Sequence, residues 1–323
     1  MALKLLHPIA PILAAAVVLD LLLGDPVYPA HPIRLMGRSL AWYEARLRKI
    51  GLDGYGGGIV LFVLLGVTWV GGVAAIVVGL DRLNVVASWL FQVFLAYSCL
   101  ALHDLLRHAW AVESAARGGH LEGARLAISR LVGRDTDKMD SAACRRAAIE
   151  SLSENLTDGF VSALFWYVAA GLPGLVLFKV VSTMDSMVGN KTPQYLTFGW
   201  CGARLDDVMN FVPARLTWLL LSLVGFLLRG CSGAKAFRIG WQQHAILPGP
   251  NSGWSEAATA GAIERRLLGP IWAKGALVTD IWLGDPKDPP AGDASDVRRA
   301  SIVVAATGLS AAAIAIFLAG IGV

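Results

Sequence analysis

The stretch that decides the fold runs from Gly133 to Arg215 and reads GRDTDKMDSAACRRAAIESLSENLTDGFVSALFWYVAAGLPGLVLFKVVSTMDSMVGNKTPQYLTFGWCGARLDDVMNFVPAR. Between its apolar runs it carries charged and amide side chains, namely Glu150, Glu154, Asn155, Asp158, Asp185, Asn190, Lys191, Arg204, Asp206, Asp207, Asn210 and Arg215. A segment that faces lipid would not carry them, because an unpaired charge in hydrocarbon costs several kcal/mol. We therefore expect these side chains to line a polar site.

The composition of the whole chain is that of a membrane protein. Of its 323 residues, 55% are hydrophobic and 16% are charged, and the mean hydropathy is +0.58. An ordinary soluble domain has roughly 45–50% apolar and about 25% charged residues. Several stretches reach the roughly 20 apolar residues that a helix needs to cross a bilayer. The composition predicts an all-α, polytopic integral membrane protein with about 5 transmembrane helices.

The net charge and the cysteines argue against several other classes of protein. The formal net charge of +4 comes mostly from loop arginines, which indicates membrane orientation and contact with anionic lipid. No basic run with interleaved aromatic residues indicates nucleic-acid binding. Cys99, Cys144, Cys201 and Cys231 lack a C-x-x-C pair or a histidine at ligand spacing, so we expect small buried hydrophobic residues.

Apolar and polar segments alternate along a single membrane domain that covers residues 1–323. The apolar segments lie at about 8–23, 56–80, 85–102, 160–181, 212–228 and 301–323. The polar segments, which are expected to carry the site, lie at 24–55, 104–159, 182–210 and 229–300. The first apolar run ends in Gly24-Asp25-Pro26 without a small-residue cleavage site, so we interpret it as a retained helix and not as a signal peptide.

The charge of the first polar segment predicts the orientation of the chain. Residues 34–49 form a predicted amphipathic helix on the membrane surface, with arginine and lysine on one face. Positive residues outnumber negative ones between residues 24 and 55, so this loop is expected in the cytoplasm. Two further crossings return the chain there, which also places residues 104–159 on the cytoplasmic side.

The apolar segment at 160–181 is expected to be broken. Gly171-Leu172-Pro173-Gly174 interrupts it, and a proline inside a helix removes a hydrogen bond and kinks the helix. A full crossing would put the polar residues 182–210 on the opposite side from residues 104–159. We therefore expect a broken or re-entrant segment, which is allowed where the backbone is buried in protein or lines a cavity.

A helix that begins near Asp140 carries the first group of candidate residues. Glu150, Glu154 and Asp158 recur every four residues and so share one face, with Asn155 on the adjacent stripe. A solvated helix face has the same pattern. The functional interpretation is favoured because this face runs directly into the apolar segment that starts at Phe160.

Three aspartates form the second group. Asp206 and Asp207 lie on one side of a helix turn with Asn210, and Asp185 lies in the preceding segment. Mg²⁺ prefers carboxylates that leave room for waters and substrate phosphates, which makes these three aspartates metal candidates. The alternative is that they only neutralise Arg204 and Arg215.

The polar segment 229–300 carries a possible anion site. Residues 250–254, Pro-Asn-Ser-Gly-Trp, predict a tight turn that leads into a helix starting near Ser255, and the free backbone N–H groups of such a start attract anions. The sequence contains no G-x-x-x-x-G-K-[ST] or G-x-G-x-x-G motif, so no phosphate loop indicates nucleotide use.

Five ordered blocks identify a family resemblance that covers nearly the whole chain. They are LDLLLGDPVYPAHPIRLMGR, GRD followed by AIESLSENLTDGFVSALFWYVAAGLPG, TMDSMVG, FGWCGARLDDVMNFVPARLT and PNSGWSEAATAGAI. With them the chain resembles the adenosylcobinamide-phosphate synthases of cobalamin biosynthesis, which are integral membrane proteins. Ser182, Asn190 and Gly249 depart from the family's usual residues.

The resemblance implies an ATP-dependent amide ligation. In this reaction the f-side propionate of adenosylcobyric acid is joined to (R)-1-amino-2-propanol or its O-phosphate. A carboxylate must be activated before an amine can displace its oxygen, most simply as an acyl phosphate made with ATP and Mg²⁺. The reaction therefore needs carboxylates that hold a metal, cations that bind phosphate, and a base for the ammonium proton.

The resemblance also implies a role for each candidate residue. The assignments are Mg²⁺ for Asp185, Asp206 and Asp207, phosphate for Arg134, Arg204 and Lys191, base or amine positioning for Glu154 beside Asn155 and Asp158, and corrinoid or nucleotide contact for Asn251 and His31. The expected location is the inner cell membrane with the site facing the cytoplasm. Lipid and other late enzymes of the pathway are the expected partners, and nucleic acid is not.

Two alternatives from other classes remain open. Gly202-Ala203-Arg204 followed by Asp206 and Asp207 is faintly similar to a Mg²⁺-dependent membrane phosphotransferase, although the further glycine and aspartate pair of such enzymes is absent. A transporter or a non-catalytic signalling homologue would also have broken helices flanked by charges.

Overall fold

The computed structural model describes residues 7–26 and 28–321, and helices make up most of it. The α-helices are α1 Ala10–Leu23, α2 Pro32–Lys49, α3 Tyr55–Gly66, α4 Gly72–Leu83, α5 Val85–Tyr97, α6 Leu102–Arg117, α7 Leu121–Ile128, α8 Ser141–Asn155, α9 Ser162–Val188, α10 Trp200–Met209, α11 Phe211–Leu227, α12 Gly233–Gln243, α13 Ser252–Ile263 and α14 Ala294–Ile321. Short π-helical segments, Val67–Gly71 and Leu156–Val161, join α3 to α4 and α8 to α9. The predicted all-α class is confirmed.

Four short strands within the polar segment 229–300 are the only strands among the described residues. They are β1 Leu267–Leu268, β2 Ile271–Ala273, β3 Ala276–Thr279 and β4 Trp282–Leu283. β2 and β3 form an antiparallel hairpin, and β1 pairs antiparallel with β4, with Leu267 opposite Leu283. These strands are not among the elements predicted from the sequence.

The length and composition of the helices agree with the predicted membrane protein. Four helical stretches are long and apolar enough to cross a bilayer: Tyr55–Leu83, Val85–Arg117, Ser141–Val188 and Ala294–Ile321. A fifth is obtained if α10 and α11 are counted as one span. The first apolar run forms only the 14-residue helix α1. At about 1.5 Å per residue, α1 is shorter than the hydrocarbon core of a bilayer.

The apolar segment at 160–181 is broken, as its glycines and proline predict. Ala170 and Gly171 leave helical geometry inside α9, and Gly171 takes a φ of 60°. Glycine adopts this left-handed conformation at little cost because it has no Cβ. Pro173 follows the break and opens the second part of the helix, where its missing N–H is tolerated.

The first of two compact units contains Met1–Ala101, Ser162–Asn210 and Ala312–Val323. Its core joins α2, α3, the end of α9 and the loop before α10, through Met36, Leu40, Leu47, Leu61, Leu65, Val180, Met184, Val188 and Phe198. α2 is amphipathic as predicted, with Met36, Leu40 and Leu47 buried and Arg46, Arg48 and Lys49 in its last turn. The core therefore fixes the ends of the helices that carry Asp185 and Asp206.

A glycine allows the close approach of α3 in this core. A Cβ on Gly58 would lie 2.0 Å from the backbone oxygen of Phe198. We expect Gly58→Ala to lower the free energy of unfolding by about 1–3 kcal/mol, because backbone cannot yield as a side-chain end can. Gly66→Ala is the matched control, since a Cβ there meets nothing within 4 Å. Thermal unfolding in detergent compares the two variants, and equal melting temperatures would contradict the prediction.

The second unit contains Leu102–Val161 and Phe211–Ala311. Asp140 caps α8 by accepting a hydrogen bond from the backbone N–H of Ala143 at 2.7 Å, so this helix begins where the sequence predicts. Small residues let α6, α7 and α8 pack closely around Val112, Ala124, Ile128, Cys144 and Ala148. α13 is buried along almost its whole length.

Candidate functional site

The structure divides the eleven candidate residues between the two units. His31, Asp185, Lys191, Arg204, Asp206 and Asp207 belong to the first unit, and Arg134, Glu154, Asn155, Asp158 and Asn251 belong to the second. That all eleven meet in a single pocket stays a prediction.

In the first unit, the three metal candidates form a group of aspartates whose charges interact. Asp206 and Asp207 lie on α10, and Asp185 lies near the end of α9; the charges of the three carboxylates act on one another. Gly202 allows α9 and α10 to pack closely, since a Cβ on this residue would lie only 2.9 Å from the Cβ of Met184. Asp206 and Asn210 lie on one side of the helix end, as their spacing predicts, and the Asn210 amide donates to Asp206 Oδ2 at 2.9 Å.

The three aspartates offer carboxylate oxygens, the kind of ligand that Mg²⁺ takes when it also binds phosphate. Among the described residues, no three His, Cys, Asp or Glu side chains are placed to hold a metal by themselves. Mg²⁺ usually takes one or two protein carboxylates and completes its octahedron with waters and phosphate oxygens. The competing interpretation also has support, because Arg204 donates to Asp207 Oδ2 at 3.3 Å. Arg215, in the second unit, donates to the Phe211 carbonyl and to Asn251.

The other candidates of the first unit lie in different environments. Lys191 and Arg204 are exposed. His31 is buried, with its Nε2 2.6 Å from Asp25 Oδ1 and its ring edge-on to Tyr28. This histidine therefore already has a partner at the start of α2.

In the second unit, an acid-rich cavity lies beside α8. Its volume is about 340 Å³. It is lined by Leu131, Val132, Gly133, Arg134, Glu150, Ser151, Glu154, Leu247, Pro248, Ser252, Glu256 and Leu268. The predicted candidates Arg134 and Glu154 thus share one cavity. Arg134 lies in the loop before α8, and Glu154 lies in the last turn of that helix.

Glu150 holds one wall of this cavity in place. Its carboxylate forms an ion pair with Arg134 and accepts a hydrogen bond from the backbone N–H of Leu268 at 2.8 Å. Leu268 has a φ of 64°, which is a strained conformation for a residue with a branched side chain. Arg146, one turn earlier on α8, donates to the Leu268 carbonyl at 2.7 Å. Glu150 and Arg146 therefore hold both sides of this residue in its left-handed conformation.

The predicted face of Glu150, Glu154 and Asp158 is only partly formed. Glu150 and Glu154 line the cavity, whereas Asp158 lies in the π-helical segment Leu156–Val161. The i to i+5 hydrogen bonds of a π-helix rotate later residues away from an i, i+4 face. Asp158 is absent from the cavity lining, although its charge acts on Glu256.

Asn155 faces a second cavity. Its amide donates to the Ser151 carbonyl at 2.8 Å, and it lines a space of about 220 Å³ together with Ser151, His108 and Arg130. Ser151 lines both cavities of this unit. Glu154 and Asn155, which are neighbours in sequence, therefore contribute to different cavities.

Asn251 precedes α13 and is buried. Its Oδ1 accepts a hydrogen bond from Arg215 at 3.2 Å, and Arg215 in turn lies 4.9 Å from the centre of the Trp254 ring. α13 begins at Ser252, three residues earlier than predicted. A Cβ on Gly253 would lie 2.0 Å from the His244 carbonyl oxygen, so the start of this helix packs against backbone.

Sequence reasoning missed Glu256 as a site residue. This residue is 4% exposed and lines the acid-rich cavity from α13. Burial, and then the charges of Glu154 and Glu150, raise the pKa of Glu256 well above its ordinary value, while Arg134 opposes the shift. The signal that could have found it is its setting, because Glu256 is the only charged residue in the helix SGWSEAATAGAI.

These features define a class of protein: a polytopic helical membrane protein with an acid-rich cavity in one unit and a group of three aspartates in the other. More particularly, the chain belongs to the CobD/CbiB family, because the family model described as CobD/Cbib protein matches residues 13–304.

Curated relatives agree with this membership. A Sinorhizobium protein named cobalamin biosynthesis protein CobD is 41% identical over 288 residues, which cover 85% of this chain and 87% of the relative. A Klebsiella pneumoniae protein of the same name is 40% identical, over 83% of this chain and 85% of the relative. The cobalamin biosynthesis protein CbiB of Salmonella typhi is 39% identical with the same coverage. No solved structure matches the chain.

Proposed function

We propose that this chain works in cobalamin biosynthesis as an adenosylcobinamide-phosphate synthase. It would use ATP to join the f-side propionate of adenosylcobyric acid to the amine of (R)-1-amino-2-propanol or of its O-phosphate. Membership in a family whose curated members are named cobalamin biosynthesis proteins supports the pathway. The observation that carries the reaction type is the cavity in which Glu154 and Glu256 lie with Arg134.

The charges of that cavity suit an amine that carries a phosphate. Glu150 is neutralised by Arg134, so Glu154 and Glu256 provide the negative charge that an ammonium group requires. Arg134 also keeps an unused donor, since its Nε is buried and has no hydrogen-bond partner within the described part of the chain. A phosphate oxygen is a suitable acceptor for such a donor. This supports the predicted role of Arg134 toward phosphate.

The aspartates of the first unit are the residues that would hold magnesium. Asp185, Asp206 and Asp207 would take up the ion together with phosphate, and Arg204 and Lys191 are exposed cations for the remaining phosphate charge. Magnesium, when bound, would supply charge neutralisation at the phosphates. The Asn210 amide orients the Asp206 carboxylate, and Asn210 itself accepts a hydrogen bond from Ser162 at 2.5 Å.

We also propose that the protein lies in the inner cell membrane with its site toward the cytoplasm. The helices that are long and apolar enough to cross a membrane support the membrane location. The excess of positive residues in α2, which include Arg34, Arg38 and Arg46, supports a cytoplasmic position for that helix. Cysteine labelling of an exposed position such as Lys191 in intact cells and in inverted vesicles tests this orientation.

A reconstituted reaction tests the proposed activity. The purified chain in detergent is incubated with adenosylcobyric acid, aminopropanol phosphate, ATP and Mg²⁺, and the corrinoid products are separated by mass. We expect an amide product whose formation requires every component. In a parallel incubation, conversion of a nucleotide-diphospho alcohol in the presence of Mg²⁺ would indicate a membrane phosphotransferase. With the chain reconstituted into vesicles, uptake of corrinoid without any covalent change would indicate a transporter.

A further inference from the structure

Glu256 is a buried acid without a partner of its own. Its side chain lines the acid-rich cavity although the residue is only 4% exposed. Within the described residues, no hydrogen bond or ion pair joins its carboxyl group to another side chain or to backbone. Because the residue lines the cavity, a ligand that enters there can supply the partner that the protein does not.

The charged groups around Glu256 do not supply that partner. Glu150 and Glu154 on α8 and Asp158 in the π-helical segment are acids that repel its charge. Arg134 is the nearby cation, and it forms its ion pair with Glu150. Cations on other helices that pack against α13 also have partners already. Arg215 of α11 donates to Asn251, and Lys235 of α12 pairs with Asp288 and Glu264.

We infer that Glu256 is the catalytic base that takes the proton from the amine substrate, with Glu154 positioning the ammonium group beside it. This inference rests on the proposed amide ligation. A primary ammonium supplies the positive charge and the three N–H donors that two carboxylates in a cavity require. Burial and the neighbouring acids raise the pKa of Glu256 well above its ordinary value, and the positive charge of a bound ammonium group acts in the opposite direction, so binding of the ammonium favours the carboxylate form of Glu256.

Deprotonation of the bound ammonium then leads to formation of the amide. The ammonium R–NH₃⁺ gives a proton to the Glu256 carboxylate, which leaves R–NH₂ with a free electron pair and Glu256 as a neutral acid. That pair attacks the carbonyl carbon of the activated propionate, an acyl phosphate formed from ATP. The C–N bond forms, and the phosphate leaves with the electrons of the broken C–O bond. The second proton of the amine leaves with the phosphate.

Glu256 is better suited to this step than Glu154. A base transfers protons most efficiently when its pKa approaches that of the group it deprotonates, and an alkylammonium is a weak acid. Burial raises the pKa of Glu256 toward that of the amine. Glu154 is only half-buried and already interacts with other groups, as suits a residue that positions the ammonium.

Proton release on amine binding tests the inference with the unaltered protein. The full chain in lipid nanodiscs is titrated with 1-amino-2-propanol at neutral pH, without ATP or corrinoid, in buffers of different ionisation enthalpy. We expect a net release of protons when the amine binds, and an affinity that rises with pH. Binding without proton release, or no binding of either the amine or its O-phosphate, would overturn the inference.

Variants separate a catalytic from a merely structural role. Glu256→Gln is expected to abolish the proton release, to lower kcat by about 10²–10⁴-fold and to remove the pH dependence of kcat/KM, while the KM for the corrinoid stays unchanged. Glu256→Asp should restore part of the rate. Glu122→Gln, at an exposed position of the same unit, is the matched control. A Glu256→Gln variant with the wild-type rate and pH profile would overturn the inference.

The same measurements distinguish this inference from the proposed function. If the wild type releases a proton on binding amine but forms no amide with the complete substrate mixture, the proposed ligation is wrong and the ammonium site stands. If the wild type forms amide and Glu256→Gln matches it, the ligation stands and the base is wrong. Should Glu256→Gln fail to fold, proton release by the wild type decides the question.

Discussion

Replacing Glu150 with alanine is expected to lower the free energy of unfolding by about 3–5 kcal/mol, the typical cost of removing one partner from a buried ion pair. Glu150 and Arg134 are both largely buried, so the guanidinium would lose its counter-charge in a region that water reaches poorly. The substitution would also leave the N–H of Leu268 without its acceptor, in a residue already held at a φ of 64°. Thermal or denaturant unfolding of the purified chain in detergent measures the change.

Two controls assign this loss to the buried pair. Glu122→Ala removes a carboxylate that is 85% exposed and pairs with Arg125, and its expected cost is about 1 kcal/mol or less. The double variant Arg134→Met, Glu150→Leu replaces both charges with apolar groups and should recover much of the stability. If Glu122→Ala and Glu150→Ala lowered the free energy of unfolding equally, burial of the ion pair would not determine its contribution to stability.

Replacing Asp206 with asparagine is expected to lower amide formation by about 100-fold or more and to raise the Mg²⁺ concentration needed for half-maximal rate. Asparagine keeps the shape of the side chain and an oxygen that can accept the hydrogen bond from Asn210, so the change isolates the carboxylate charge. Alanine at Asp206 or at Asp207 should abolish turnover. Membrane insertion and thermal stability should be retained, because the core of this unit is formed by apolar residues and includes neither aspartate.

Asp81→Asn is the matched control for this prediction. Asp81 is exposed in the last turn of α4, in the same unit as Asp206, and it should tolerate the change. The measurement is the initial rate of amide formation across a range of Mg²⁺ concentrations. Wild-type rates in both the Asp206 and the Asp207 variant would rule out the assignment of magnesium to these aspartates.

Much of the fold could be predicted because it depends on local chemistry. Apolar runs long enough to cross a bilayer form helices there, since an unsatisfied backbone group is too costly in hydrocarbon. Asp140 caps α8 through a contact only three residues along the chain. The break in α9 falls at Gly171, where the chain needs a left-handed conformation. Each of these depends on neighbours within a few residues.

The candidate site could be predicted only in part. Arg134 and Glu154, which were both candidates for the same reaction, line one cavity. Asp206 accepts a hydrogen bond from Asn210, which is consistent with their helical spacing. Spacing misplaced Asp158, which is rotated by a π-helical segment that the periodicity does not predict. Asn155 lies on the adjacent stripe with Ser151, as predicted, and that stripe faces a second cavity with His108. Glu256 was overlooked because a single glutamate in an apolar helix carries no pattern.

The amino-acid sequence by itself determined the class of this protein, its helices, its family and the residue types available for chemistry, because composition and short-range spacing encode them. Only the tertiary structure decided which acids share a cavity and which already have partners. Glu150 reaches the backbone of Leu268 across 118 residues of chain, and His31 is buried against Asp25 and is not presented to solvent. The physical reason is that burial and charge pairing depend on how distant elements pack, and helical periodicity says nothing about distant elements.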